Sequence, residues 1–467
     1  MNEPAAKSWP DYRAVWRWHF YAGLFCIPFV IVLSLSGAMY LFKPQVEAWN
    51  DAPYDNLTVT GSPATAEQQT RAALAALPGS TLSFYELPTS PNSAVRVVVR
   101  QKGEAIRVYL HPETLKVLHT FPEQERFMRF LFRLHGELLM GDRGSMLVEL
   151  AASWTILLIV TGLYLWWPRN ASGMGGVAYP RWHMGSRILW RDLHSVTGVW
   201  VSTLALILLL SGLPWAKFWG SYFKSVRQLT QTADMQQDWT VGAERPSAGG
   251  SRQGGASGDS HAGGEHAAPA RGSGRRGSGG PTPKDLTAID RIVNTIQPLG
   301  LQPPVQIAPP ASGSQDWTAK SMTANRPWRV NLVVNGTTGA IVSREDFKDR
   351  HLIDQIVGTG IALHEGQLFG WPNQLLGLLT AAGLLLLCVS SVVLWWRRRD
   401  QGVLGAPKVL ATPRVSVGLG VLTVLFAVFL PLFGASLLLV LLAENLILSR
   451  IPVVSRWLGL RCRHQPA

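Results

Sequence analysis

Apolar residues in this chain gather into long, nearly unbroken runs instead of the short alternations of a soluble domain. Runs at 20–42, 146–167, 195–216 and 375–396 are each long enough to cross about 30 Å of hydrocarbon as a helix, and a double-length run covers 415–448. As one helix the last run would extend about 51 Å at about 1.5 Å per residue, too far for one upright crossing. Pro431 near its middle, Gly434 just after it, and basic residues at both ends (Arg414 on one side; Arg450, Arg456, Arg461 and Arg463 on the other) predict a tight hairpin of two short helices. A single tilted helix is the other arrangement this run allows.

Between the runs the period changes. In 57–120 an Ala-rich helical stretch (Ala64 to Leu77) precedes alternating stretches around Leu82–Leu87, Ala94–Arg100 and Ala105–Leu110, then a turn at His111-Pro112-Glu113-Thr114 and another strand. That is the pattern of a small α+β unit. The second polar segment repeats it, with a helix at Leu286–Ile296, strands near Val305–Ile307, Trp317–Lys320 and Trp328–Val334, a turn at Asn335-Gly336-Thr337-Thr338 and a strand at Ala340–Ser343. Aligned on their turns, the units are about 224 residues apart (335−111). Residues 245–283 are rich in Gly, Ser and Arg with almost no large apolar side chain, and predict a disordered linker. Within it GSGRRG (Gly272 to Gly277) imitates the dinucleotide glycine pattern, but no strand precedes it and no helix follows, so no nucleotide site is inferred.

The spans carry the same duplication. The first contains His19, Gly23 and the pair Ser36-Gly37; the third contains His194, Gly198 and Ser211-Gly212, each 175 positions later (194−19, 198−23, 211−36). The second span is led by His135 and Gly141 and ends in Trp166-Trp167 and Arg169. The fourth is led by His364 and Gly370 and ends in Trp395-Trp396 and Arg398, all at an offset of 229 (364−135, 370−141, 395−166, 398−169). The chain is therefore a tandem repeat of helix, outer α+β unit and helix, with both halves running the same way across the membrane.

Composition agrees, with 47% hydrophobic and 16% charged residues and tryptophans at the run ends, as interfacial belts have. Arg13 and Arg17 precede the first run, which is longer than a signal-peptide core and lacks a small-residue cleavage site, so an uncleaved anchor with a cytoplasmic N-terminus is expected. Arg169, Arg181, Arg187 and Arg191 in the 168–193 loop, and Arg397, Arg398 and Arg399 after the fourth span, put both on that same side. The segments 43–145 and 217–374 then lie outside, in the periplasm of a Gram-negative inner membrane. The net charge of +13 comes from these clusters and the basic linker, and no aromatic-interleaved basic patch points to nucleic acid. The three cysteines are Cys26 and Cys388 inside spans and Cys462 near the end, which excludes CxxCH haem attachment and thiolate iron–sulfur sites.

The expected organisation is a first span (1–45), an outer unit (46–130), an outer helix with the second span (131–168) and an inner loop (169–193). The third span (194–217), a second outer unit with the linker (218–350) and an outer helix with the fourth span (351–399) follow. An inner loop with the hairpin (400–449) and a cytoplasmic tail (450–467) complete it.

Topology sorts the registered histidines into two levels. His19 and His194 sit where a chain enters from the cytoplasm, and His135 and His364 precede spans that enter from outside. Two pairs, one near each face of a four-helix bundle, suit two six-coordinate haems, each iron taking one imidazole from each repeat. Gly23 and Gly198, one helical turn beyond His19 and His194, would let a flat macrocycle approach the backbone. His135 is about 46 Å of helix from Trp166, so it belongs to a short outer helix with a bend at Gly141-Asp142-Arg143-Gly144; the equivalent bend after His364 is Gly370-Trp371-Pro372. Arg17, Arg187 and Arg191 inside, and Arg129, Arg133 and Arg143 outside, are candidate propionate partners. His111, His119, His183, His261, His266, His351 and His464 are expected to be surface residues, although His183 is also a candidate neighbour of a quinone or a propionate.

These residues resemble the PepSY-associated transmembrane helix family, and within it the inner-membrane siderophore reductases of the FoxB type. The matching residues are His19-x3-Gly23 with Ser36-Gly37, Leu134-His135-Gly136 with Leu163-Tyr164-Leu165-Trp166-Trp167, Asp192-Leu193-His194-x3-Gly198 with Ser211-Gly212, and Leu363-His364 with Trp395-Trp396. The resemblance covers most of 10–400 and leaves out the 245–283 linker and everything after about 405. It implies an α-helical integral membrane protein: a duplicated four-helix haem-binding bundle with two periplasmic α+β PepSY-like domains, to which this chain adds the C-terminal hairpin. It further implies a b-type reductase with two haem b groups that passes electrons from a quinol or a cytoplasmic reductase to a ferric siderophore or other chelate. The alternative is a membrane-anchored PepSY binding or regulatory protein without redox activity. An ion or siderophore transporter is a third reading, weakened by spans without intramembrane carboxylates or unwound breaks at mid-depth beyond Pro28.

Overall fold

The computed structural model describes residues 12–168, 173–230, 232, 286–311, 314–407 and 417–460. The expected linker at 245–283 with His261 and His266, and Cys462 and His464 in the tail, lie outside the described residues.

The first span is α1 (Tyr12–Tyr40), and a short α2 (Lys43–Asp51) follows it. Next come α3 (Ala66–Ala76), β1 (Thr81–Glu86), β2 (Val95–Gln101), β3 (Glu104–Leu110) and β4 (Val117–Pro122), then α4 (Phe127–Glu137) and the second span α5 (Asp142–Trp166). The second half runs through α6 (Ser186–Gly212), α7 (Lys217–Leu229), α8 (Ala288–Ile296), β5 (Val305–Ala308), β6 (Asp316–Ser321), β7 (Val330–Asn335), β8 (Ile341–Asp346), α9 (Leu352–His364) and α10 (Trp371–Arg398). The chain then forms α11 (Val417–Phe429), α12 (Pro431–Leu446) and α13 (Pro452–Leu458). Contacts divide it into two compact units: a helical one of Met1–Ala38, His135–Phe223 and Leu376–Ala467, and a sheet unit of Met39–Leu134 and Lys224–Leu375.

Among the described residues, five helices are long and apolar enough to cross a membrane: Tyr12–Tyr40, Asp142–Trp166, Ser186–Trp215, Trp371–Arg398 and Pro431–Arg450. Large apolar side chains such as Leu24, Leu35, Leu379, Leu438 and Leu439 are exposed on them. In water this would be a liability, whereas in hydrocarbon these are the positions that meet lipid. Pro28 inside α1 removes one backbone hydrogen bond without ending the helix, as lipid-embedded helices tolerate.

The helical unit is tied together by tryptophan donors. Trp154 Nε1 donates to Ser436 Oγ at 3.1 Å and packs its ring on Phe433, while Trp219 Nε1 donates to the Phe429 carbonyl at 2.9 Å. The chain reverses at Leu430-Pro431: a Cβ on Gly434 would lie 2.9 Å from that of Ala427, whereas seven residues of continuous helix span about 10 Å. Leu404 N donates to the Trp457 carbonyl at 2.9 Å, so the segments before α11 and after α12 meet. This is the helical hairpin expected from Pro431.

Glu149 on α5 corrects the expectation that the spans hold no carboxylate. It is 2% exposed, and its carboxylate accepts from the backbone N–H of Phe218 (2.9 Å) and Trp219 (3.1 Å) in the first turn of α7. A helix N-terminus presents unsatisfied donors and partial positive charge, which this buried acid satisfies. The entry into α5 also differs from expectation. The backbone turns before Asp142, through Leu138, Leu139 and Gly141 at φ of 48°, 59° and 61°. Gly144 is needed for closeness, because a Cβ there would fall 1.6 Å from the Glu137 carbonyl oxygen.

In the sheet unit the two outer α+β patterns merge into one antiparallel eight-stranded sheet, in the order β4-β3-β2-β1-β5-β6-β7-β8. The junction is the β1–β5 ladder, where Tyr85 pairs with Ile307 and Glu86 with Gln306. Equivalent strands meeting antiparallel at the centre relate the two halves by an approximate two-fold axis. Helices α3 and α8 cover one face, and their Ala73, Ile289, Ile292 and Ile296 pack into one core with Val97, Val99, Trp317 and Val334. Each isoleucine buried this fully contributes about 1.5–3 kcal/mol. Thr65 and Gln68 form a reciprocal capping box at the start of α3.

The opposite face of the first half carries buried charge. Arg107 lies between Glu86 (2.8 Å) and Glu123, and Arg96 reaches Asp55 (2.6 Å) and Asp51 (3.6 Å). Burial alone would lower the Arg107 pKa, but the flanking Glu86 and Glu123 carboxylates reverse this and raise it well above the usual value, so the guanidinium stays charged. Tyr109, whose pKa burial pushes up, donates from its hydroxyl to Asp51 at 2.9 Å.

Candidate functional site

The inner pair of registered histidines is brought together within the helical unit. His19 on α1 and His194 on α6 have ring centres 6.3 Å apart, with ring planes at 84°. Each Nδ1 is within hydrogen-bond reach of a hydroxyl on the helix that follows in its own repeat. His19 meets Thr161 Oγ1 on α5 at 3.0 Å; His194 meets Ser390 Oγ and Ser391 Oγ on α10, both at 3.2 Å. An imidazole that uses Nδ1 in this way keeps Nε2 for another partner.

This arrangement fits a haem iron. Two imidazoles that bind one metal from opposite sides at about 2 Å each have ring centres about 6 Å apart, close to what His19 and His194 show. Among the described residues there is no group of three or more His, Cys, Asp or Glu able to hold a metal ion. A small ion such as zinc takes about four protein donors, whereas a macrocycle brings its own in-plane nitrogens and asks the protein for axial ligands alone. Gly23 and Gly198 are consistent with an open side here. A Cβ would meet one leucine methyl, Leu158 at 3.9 Å or Leu387 at 3.7 Å, which is ordinary contact, so helix packing does not itself demand glycine.

His135 lies in the last turn of α4, half-buried, with Nδ1 3.1 Å from Ser36 Oγ. His364 is the last residue of α9 and is half-buried in the sheet unit. The outer two thus fall in different compact units.

Several arginines named as propionate partners are engaged by protein groups. Arg17 Nη1 donates to the carbonyls of Gly459 (3.0 Å) and Pro407, and the Tyr21 hydroxyl donates to the Leu458 carbonyl, so the C-terminal segment is tied to α1 on either side of His19. Arg129 Nε donates to Gln124 at 3.1 Å, and its guanidinium lies over the Phe132 ring. Arg191 pairs with Asp192 at 2.9 Å, while Arg187 is exposed. Asp192 is fully buried two residues before His194, and Arg181 clamps it through Nε (2.8 Å) and Nη2 (3.0 Å). That bidentate pair fixes the mouth of α6.

Among the other histidines, His183 and His119 are exposed as expected and His111 and His351 are half-buried; three of them have structural partners. His351 caps α9 by accepting from Ile353 N, and His111 Nδ1 accepts from Glu113 N and Thr114 N in its turn. His119 stacks on Tyr54 with ring planes at 9°.

The hydroxyls were missed in the sequence, yet they carried a signal. Thr161 and Ser390 differ by 229 (390−161), the offset that relates His135 to His364, and Leu158 and Leu387 differ by the same amount. A search for polar residues inside the spans at the repeat offset would have found them.

Together the apolar helices, their duplicated histidine register and the fused α+β sheet define a polytopic membrane protein with a large non-membrane unit. The chain belongs to the family described as the PepSY-associated TM region, which matches residues 16–398 and so takes in both repeats but stops before α11. Among curated proteins no match was found.

Proposed function

We propose that this protein is a dihaem b-type oxidoreductase of the bacterial inner membrane, which carries electrons outward to reduce ferric iron in a siderophore or another chelate. The observation that carries this reading is the inner pair, two imidazoles at a metal-spanning separation whose Nδ1 atoms are both occupied by hydroxyls. His19 and His194 would hold the inner haem, and by the repeat His135 and His364 would hold the outer one. Bound haem supplies a one-electron carrier at each level. The chain's own residues hold the imidazoles in place, keep water and bulk ions away from the inner level with apolar helices, and present a folded unit on the outer side.

Arginines at the ends of the second and fourth spans support a cytoplasmic N-terminus and periplasmic outer segments. Reduction releases the iron because the hard oxygen donors of a siderophore suit Fe(III) far better than the softer Fe(II). A quinol or a cytoplasmic reductase is the electron donor.

The test is the visible spectrum of the detergent-purified protein. A Soret band and a reduced α-band of b-type haem are expected, with ferric chelate reoxidising the dithionite-reduced protein. His19→Ala or His194→Ala should remove one haem and leave the other. A colourless protein would sink the reading and favour a membrane-anchored PepSY binding protein.

A further inference from the structure

His19 is received by Thr161-Gly162 and His135 by Ser36-Gly37, and the two receivers are built alike. In both, the hydroxyl meets Nδ1, at 3.0 and 3.1 Å, and the adjacent glycine leaves room for the ring. A Cβ at Gly162 would lie 3.2 Å from His19 Cε1, and one at Gly37 would lie 3.0 Å from His135 Cε1. The Ser-Gly pair that the sequence repeats at 36 and 211 thereby acquires a physical reason in its first copy.

Each hydroxyl has a single proton, and that proton has an acceptor on its own helix. Thr161 Oγ1 donates to the Leu157 carbonyl at 2.7 Å, Ser36 Oγ to Val32 at 2.7 Å, and Ser391 Oγ to Leu387 at 2.7 Å. An O–H that stays on that carbonyl leaves the oxygen to accept from the ring, which makes Nδ1 the donor and leaves the lone pair on Nε2. A neutral Nδ1–H tautomer is the form an axial ligand needs, and the bond made by the other nitrogen sets its orientation and basicity.

We infer that hydroxyl–glycine pairs in the spans are the positioning residues of the axial histidines, and that the second repeat departs from them at one place. The residue 229 positions after Gly162 is Ser391 (391−162), and its hydroxyl joins that of Ser390 on His194 Nδ1. His194 Nδ1 therefore meets two hydroxyls at 3.2 Å, where His19 Nδ1 meets one at 3.0 Å. The two ligands of one iron are held unequally, so the repeats are not interchangeable at the inner level. The metal in this statement rests on the haem reading above; the tautomers do not.

The experiment uses the full-length protein with Thr161→Val, Thr161→Ser and the double variant Ser390→Ala/Ser391→Ala. It reads low-spin ferric EPR and the midpoint potential of each haem, the inner one being the haem that His194→Ala removes. Loss of the hydrogen bond weakens the imidazole as a donor to Fe(III). Thr161→Val and the double variant should each raise the inner midpoint and move its g-values while the outer haem stays put, and Thr161→Ser should restore both. An inner haem unchanged in both variants overturns the inference while leaving the haem reading intact. A wild-type protein without haem overturns the haem reading instead. In that case histidine 15N shifts decide the tautomers: Nδ1–H at His19 and His194 supports the positioning role, and Nε2–H overturns it.

Discussion

Gly162→Ala tests the inner level most directly. The new Cβ would stand 3.2 Å from His19 Cε1, and carbon contacts settle at about 3.5–4.0 Å, so the ring must retreat by about 0.3–0.8 Å. A retreat of that size stretches the 3.0 Å contact with Thr161 Oγ1 past useful hydrogen-bond length. The lost bond is worth about 0.5–1.5 kcal/mol, and overpacking adds about 1–3 kcal/mol. Against these, alanine is better than glycine inside a helix by about 0.5–1 kcal/mol. The net loss of about 0.5–4 kcal/mol corresponds to a roughly 2- to 700-fold weaker inner haem site at about 1.4 kcal/mol per tenfold. The assay is the haem-to-protein ratio from reduced-minus-oxidised spectra during haem titration, with Gly23→Ala as the comparison. At Gly23 a Cβ meets only the Leu158 methyl at 3.9 Å, so the haem-free protein should be no less stable, and any loss of haem there reports on clearance for the macrocycle itself. A Gly162→Ala protein that fills its inner site as tightly as the wild type would refute the reasoning.

Glu149→Ala leaves the first N–H groups of α7 buried without their acceptor, and should lower stability by about 2–4 kcal/mol, with Glu149→Gln losing about half as much; thermal unfolding in detergent measures both. Arg107→Met removes the closest cation from the buried acids Glu86 and Glu123 and leaves them only Arg96 at 3.8 Å and Arg126 at 3.9 Å, at a cost approaching that of a broken buried pair, about 3–5 kcal/mol. Adding Glu86→Gln and Glu123→Gln should recover most of it, and a triple variant in which nothing is recovered would show that the network is not the cause. Arg17→Ala with Tyr21→Phe removes the ties from α1 to Pro407, Leu458 and Gly459. Limited proteolysis should then cut the segment after residue 400 several-fold faster, and an unchanged rate would mean that the Trp154 and Trp219 contacts to α12 and α11 hold it without those ties.

The spans, the tandem repeat and the strands of both outer units were legible in the sequence because each rests on a local period or a fixed offset. Pro431 announced the reversal between α11 and α12 for the same reason. What escaped was non-local. Nothing in either outer unit says that β1 will pair with β5, because a strand edge carries its hydrogen bonds in the backbone and not in the side chains that sequence patterns report. Glu149 escaped because a lone acid near the end of an apolar run reads as a headgroup contact until the N-terminus of α7 is seen beside it. Thr161, Ser390 and Ser391 escaped because hydroxyls inside spans are common, and only their shared register distinguishes these. Of the glycines singled out in the spans, Gly37 touches a histidine while Gly23 and Gly198 meet only leucine methyls; Gly162, which touches His19, was missed.

The β1–β5 ladder has a consequence for how the protein is made. Tyr85 waits for Ile307, which lies 222 residues later (307−85). At about 5–20 residues per second of synthesis, the completed first half stands for roughly 10–45 s with the inner edge of β1 open. An open edge is a template for any extended chain nearby, so the newborn first repeat is the stage at which a chaperone has most to protect, and the arrival of β5 ends that exposure.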